Sequence, residues 1–118
     1  MAQYLLMLRG DRTNNGLSGL SAEKIQEIVA RYEAWSGKLR ERGKLAAGNK
    51  LRDREGRVMT RKGSNVAVTD GPFAEVKEII GGYFVLEAKN YDEALSLAKD
   101  CPHLDFGSIE VREIEPMP

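Results

Sequence analysis

The sequence predicts an α+β fold built from two β-α-β units with a polar β-hairpin between them. Two observations carry that reading. Apolar residues recur at helical spacing over 21–42 and again over 91–100, and strand-like runs flank both stretches. Between the units lies a charged, glycine-punctuated segment with strand alternation but few large apolar groups. The 118 residues suit one domain, read as 1–118, with 42% hydrophobic and 31% charged residues.

Residues 2–9 read as a strand: Tyr4, Leu6 and Leu8 share one face, Leu5 and Met7 the other. Apolar groups on both faces mean that both are covered. Residues 10–20, with Gly10, Asn14, Asn15, Gly16 and Gly19, have loop composition. In the first helix Ile25, Ile28, Val29, Tyr32, Trp35 and Leu39 form the apolar stripe. Ser21 is placed to cap it, Glu23 suits its first turn, and Gly43 is placed to end it.

Shorter strands are expected at 44–51, 56–62 and 65–69, with turns at Asp53-Arg54-Glu55-Gly56 and Lys62-Gly63-Ser64-Asn65. Residues 79–89 give the clearest strand, with Phe84, Leu86 and Ala88 on one face and Tyr83 and Val85 on the other. Gly81-Gly82 predicts a bulge or a close backbone approach. Asn90 and Glu93 form a capping-box pair that opens the second helix. Tyr91, Ala94, Leu95, Ala98 and Cys101 make its stripe, and Pro102 stops it. Residues 108–115 close as a strand with Ile109 and Val111 inward.

This order is the ferredoxin-like split βαβ plan, an antiparallel sheet with an extra β-hairpin. Two helices cover one sheet face, yet Leu5, Met7, Tyr83 and Val85 make the other partly apolar. A second copy, sheet against sheet, is the simplest cover, so the expected assembly is a homodimer.

Formal net charge is zero, and no apolar run approaches membrane-spanning length. The first nine residues lack the basic region of a signal peptide. One cysteine excludes an internal disulfide, and these features together point to the cytoplasm. One histidine and one cysteine do not make a structural zinc site, and no cofactor motif is present, so neither metal nor cofactor is expected. Residues 38–63 hold ten basic and three acidic groups, +7, leaving the remainder at −7. The block lacks the stacking aromatics of single-strand binders. It therefore reads as a solvated hairpin, or one that pairs with acidic surface on a partner subunit, rather than a nucleic-acid surface.

The candidate chemistry centres on Asp70-Gly71-Pro72-Phe73-Ala74-Glu75, followed by Lys77-Glu78. Asp70 is a candidate general base if burial or a neighbouring acid, Glu75 or Glu78, supports it. Its alternative role is to cap the turn that Gly71 and Pro72 set. Phe73, Glu75, Glu78 and Tyr83 are candidate binding residues, with core packing and a solvated turn as the competing readings. His103 is the second catalytic candidate, with Asp105 placed to orient it; a structural loop histidine is the alternative.

The same residues carry a family resemblance. Tyr4 to Leu8, the Asp70–Glu75 motif with Lys77-Glu78, Gly81-Gly82-Tyr83-Phe84 and Ile109-Glu110-Val111-Arg112 occur in order over nearly the whole chain. They resemble the YCII-related family in its DGPF-domain branch. The resemblance implies a ferredoxin-like domain that pairs into a dimeric α+β barrel. It also implies lyase-like chemistry in some relatives, through a histidine–aspartate pair in a pocket, and transcription-related roles in others. The family's histidine lies near the start of the domain, whereas this chain's one histidine is His103. Two functions follow as expectations: acid–base chemistry on a small molecule, or a non-catalytic regulatory dimer.

Overall fold

The computed structural model describes residues 1–11, 19–52, 55–71 and 78–118, the side chains of Asp11 and Glu78 excepted. Its elements run β1 (Ala2–Asp11), α1 (Ala22–Glu41), β2 (Leu45–Lys50), β3 (Arg57–Lys62), β4 (Asn65–Asp70), β5 (Glu78–Ala88), α2 (Tyr91–Ala98), a 3-10 turn (Pro102–Asp105) and β6 (Ser108–Ile114). Four strands form one antiparallel sheet in the order β2-β5-β1-β6, while β3 and β4 pair only with each other. This is the split βαβ order with the hairpin set apart.

Alternation decides which sheet face is buried. Tyr4, Leu6 and Leu8 of β1 stand opposite Leu86, Phe84 and Gly82 of β5 and Glu113, Val111 and Ile109 of β6. The core gathers Tyr4, Leu6, Leu86 and Ala88 under Trp35 and Leu39 of α1 and Ala94, Leu97 and Ala98 of α2. Trp35 meets Phe84 edge-on at 4.9 Å, and its indole N–H donates to the Leu97 carbonyl at 3.0 Å, so its one polar atom is satisfied on burial.

The helix ends follow their sequence signals. Ser21 Oγ accepts from the Lys24 amide, and Gly43 sits at φ +70° just beyond the last turn of α1. Asn90 Oδ1 accepts from the Glu93 amide, but the Glu93 carboxylate reaches back to the amide of Lys89 rather than Asn90. That bond, with the Lys44 ammonium at 3.3 Å, holds the Glu93 carboxyl below the usual carboxylate range. The predicted bulge is present: β1 and β5 shift register between Leu8 and Arg9, pairing with Gly82 and Ile80 across Gly81.

Three expectations change. The α2 stripe runs Ala94, Leu97, Ala98 and on to buried Cys101, leaving Leu95 and Tyr91 exposed. The ring of Tyr91 still meets Tyr4 at 4.9 Å, and its hydroxyl accepts from the Glu113 amide. Val29 likewise falls off the buried line of Ile28, Trp35 and Leu39. Finally, β2 and β3, which flank the turn expected at Asp53–Gly56, belong to different sheets and do not pair with each other, and residues 53–54 lie outside the described residues.

Candidate functional site

The predicted site residues are distributed over three places. Asp70 ends β4, on the hairpin, opposite Arg57. Its side chain is 92% exposed and its carboxylate lies 3.4 Å from the Arg57 guanidinium. Burial, one of the two conditions under which it would serve as a base, is not met within one chain. The amide of the following Gly71 donates to the Gly56 carbonyl, tying the two feet of the hairpin together. Phe73, Glu75 and the side chain of Glu78 lie outside the described residues.

Tyr83 stands on the sheet face turned away from the helices. Its register partners are Met7 on β1 and Asn49 on β2, and its hydroxyl accepts from the Asn49 side-chain amide at 3.0 Å. The hydroxyl proton stays available for another acceptor. Leu5, Met7, Val85 and Ala47 share this face, and Arg9 pairs with Glu110 at 2.9 Å toward the same end as Tyr83. The face therefore has an apolar middle with polar groups at both ends, Tyr83, Asn49, Arg9 and Glu110 at one and the Gln3–Glu87 pair at the other.

His103 sits on the opposite side of the sheet, in the 3-10 turn, and both its ring nitrogens are engaged. Nε2 lies 2.8 Å from the Arg9 carbonyl. A carbonyl only accepts, so Nε2 carries the proton. Nδ1 then accepts from the Tyr32 hydroxyl at 3.4 Å. Burial, followed by the nearby Cys101, pushes the Tyr32 phenol up to about 12, so it remains a donor. Burial also raises the Cys101 thiol. Gly107 closes this corner: a Cβ there would run into the Arg9 carbonyl and approach His103 Nε2.

The expected Asp105–His103 pair does not form. Asp105 instead binds Arg31 of α1 at 2.6 Å, because the 3-10 turn directs it toward that helix. Nor are Asp70 and His103 brought together: Asp70 pairs with Arg57, and His103 with Arg9 and Tyr32. Sequence reasoning assigned Tyr32 to the core and overlooked its partner. A buried phenol needs a hydrogen-bond acceptor, and the chain's lone histidine was an available match. Among the described residues, no group of three or more His, Cys, Asp or Glu side chains could hold a metal ion. No helix among them is long and apolar enough to cross a membrane.

Residues 3–118 match the YCII-related domain. The chain belongs to the YCII-related family. An uncharacterised protein of Rhizobium meliloti (strain 1021) is 32% identical over 100 residues, covering 82% of this chain and 81% of that protein. Among solved structures, the chain resembles 5-chloro-2-hydroxyhydroquinone dehydrochlorinase from Burkholderia phenoliruptrix AC1100, in complex with 2,5-dihydroxybenzoquinone. The TM-score is 0.52 at 19% identity, covering 96% of this chain and 93% of the other. This likeness carries the fold: ferredoxin-like α+β, the class of dimeric α+β barrels.

Proposed function

We propose that this single-domain protein is a cytoplasmic homodimer with an enzyme-like pocket, performing acid–base chemistry of the elimination type on a small molecule. The observation that carries the reading is the open sheet face, where an apolar middle ends at Tyr83, Asn49, Arg9 and Glu110. Covered by a second sheet, such a face would enclose a cleft suited to a small ring with polar substituents. The fold shared with a dehydrochlorinase bound to a dihydroxybenzoquinone supports that ligand class.

In this reading Asp70 takes a proton from carbon as the leaving group departs with its electron pair and a double bond forms. Phe73, Glu75, Glu78 and Tyr83 contact the ligand. His103 acts as a positioning residue, since its ring fixes the backbone of Arg9. No metal or cofactor is required.

The test is a thermal-shift titration with 2,5-dihydroxybenzoquinone, substituted hydroquinones and small aromatic acids, followed by turnover assays on any binder. Binding to the native state raises the melting temperature. Asp70→Asn is expected to retain the shift and lose turnover by at least a hundredfold. Unchanged turnover in Asp70→Asn rejects the mechanism, and no shift with any of these compounds rejects the pocket. The second reading, a non-catalytic regulatory dimer, draws on the basic 38–63 block. It predicts that reversing the charge of Arg52, Arg54 and Arg57 abolishes an interaction without affecting any turnover.

A further inference from the structure

Tyr83 stands on the open sheet face with a hydroxyl whose two hydrogen-bonding sides differ. Its oxygen accepts from the Asn49 side-chain amide at 3.0 Å. A phenol carries one proton, and with the Asn49 N–H on the oxygen that proton points away from Asn49. Among the described residues the proton meets no acceptor. Tyr83 itself is half-buried, so its ring is held while its donor stays open to a partner.

The backbone fixes the pair. Asn49 and Tyr83 stand opposite each other in the β2–β5 register. The ladder runs on past them, with Lys50 opposite Gly82 and the Leu51 amide donating to the Gly81 carbonyl at 2.9 Å. Two glycines let these strands lie close: a Cβ at Gly82 would stand 3.0 Å from the Asn49 carbonyl oxygen, and one at Gly48 would run into the Phe84 ring. The Gly81-Gly82 pair thus serves the Tyr83–Asn49 contact as well as the bulge. One pleat repeat away, about 7 Å, Val85 and Ala47 face each other on the same side of the sheet. The small side chain of Ala47 leaves a step beside the hydroxyl, floored by Val85.

We infer that Tyr83 selects the ligand by hydrogen-bond polarity. It donates to an acceptor oxygen, a carbonyl or a deprotonated hydroxyl, on a planar apolar body seated on Val85 and Ala47. Asn49 is the positioning residue that turns the Tyr83 proton toward that oxygen. The inference rests on the pocket proposed above and names the chemistry that pocket takes. A group offering only donors at that point sets proton against proton, and an apolar group leaves the hydroxyl unpaired once the cleft is closed. An acceptor oxygen is also where charge collects when a proton leaves the neighbouring carbon, so one donor serves both binding and the reaction.

NMR titration of the ¹⁵N-labelled full chain with acetophenone and with α-methylstyrene tests this. Both probes are neutral and alike in shape; one carries a carbonyl oxygen where the other has a methylene. The wild type is expected to bind acetophenone about fivefold more tightly, with the Asn49 side-chain amide signals shifting. Tyr83→Phe removes the donor, and Asn49→Asp supplies an acceptor that takes the Tyr83 proton. Each is expected to weaken acetophenone about fivefold and leave α-methylstyrene unchanged. Damage to the fold weakens both probes alike, so their ratio reads the hydroxyl alone. Ala47→Phe, at an exposed position on the edge strand, fills the step and is expected to lose both probes. Equal wild-type affinity for the two probes, or a preference that survives Tyr83→Phe, overturns the inference and leaves the pocket standing. A preference lost in Tyr83→Phe but kept in Asn49→Asp overturns the part given to Asn49. Acetophenone that does not bind the wild type overturns the inference too, and the thermal-shift titration then decides the pocket separately.

Discussion

In β1 the alternating residues Tyr4, Leu6 and Leu8 are buried; in β3 and β4 the equally alternating Met59, Val66 and Val68 are exposed. Both regions place apolar residues on one strand face and pair antiparallel. They differ in what lies above them. Two amphipathic helices follow the sheet strands in the chain and fold back over them, whereas β3 and β4 are joined to each other by a tight turn and have no such helix. Alternation thus selects a face, and a separate element must cover it.

The largest loss of stability is expected in the core. Leu86→Ala removes a fully buried side chain between both helices and is expected to cost about 2–5 kcal/mol in urea unfolding. Val68→Ala, at an exposed position, is expected to stay within about 0.5 kcal/mol. A Val68 effect equal to that of Leu86 would erase the contrast. Glycines give the next contrast. Gly107→Ala drives a Cβ into the Arg9 carbonyl and should destabilise by about 1–3 kcal/mol. Gly63→Ala, in the hairpin turn at φ +64°, strains only its own backbone and should cost about 1 kcal/mol. Thermal unfolding of both variants checks this order.

Titration separates the regions further. The Tyr32 phenol is raised from 10.0 to about 12 in the folded chain. Over that interval the folded state holds a proton that the unfolded state has released. Its stabilising contribution is complete below pH 10 and is lost as pH rises through about 12. Tyr32→Phe should flatten this alkaline loss in pH-dependent melts. Glu93 has the opposite sign. Its lowered carboxyl gives the wild type an advantage over Glu93→Gln at neutral pH, which fades as pH falls through and below the usual carboxylate range. The smallest effect belongs to the hairpin: Arg57→Ala breaks an exposed pair and should change stability by less than about 0.5 kcal/mol.

Local signals in the sequence were enough to locate the elements. Ser21, Asn90 and Gly43 act at or next to the helix ends, and Gly81 marks the bulge, because caps and bulges are set by the residues that form them. What was not legible depended on contacts between elements. Along α2, Tyr91-Ala94-Leu95-Ala98 and Ala94-Leu97-Ala98-Cys101 are equally good helical stripes. The second is buried, with the Leu97 carbonyl accepting from Trp35. For the site, an i, i+2 spacing suggested an Asp105–His103 pair, but Arg31, distant in sequence, takes Asp105 and Tyr32 takes an imidazole nitrogen. Asp70 was singled out by its motif, while its exposure follows from the hairpin standing apart from the sheet, which spacing alone does not show.

The strand order has a kinetic consequence during synthesis. β1 lies inside the sheet, paired with β5 along one of its sides and with β6 along the other. Leu6 pairs with Val111, so β1 is synthesised long before the strand that fills its second side. Until then that edge presents unpaired amides and carbonyls beside Leu5 and Met7, an open template for a neighbouring nascent chain. Refolding should accordingly be slow and most prone to aggregation before β6 docks.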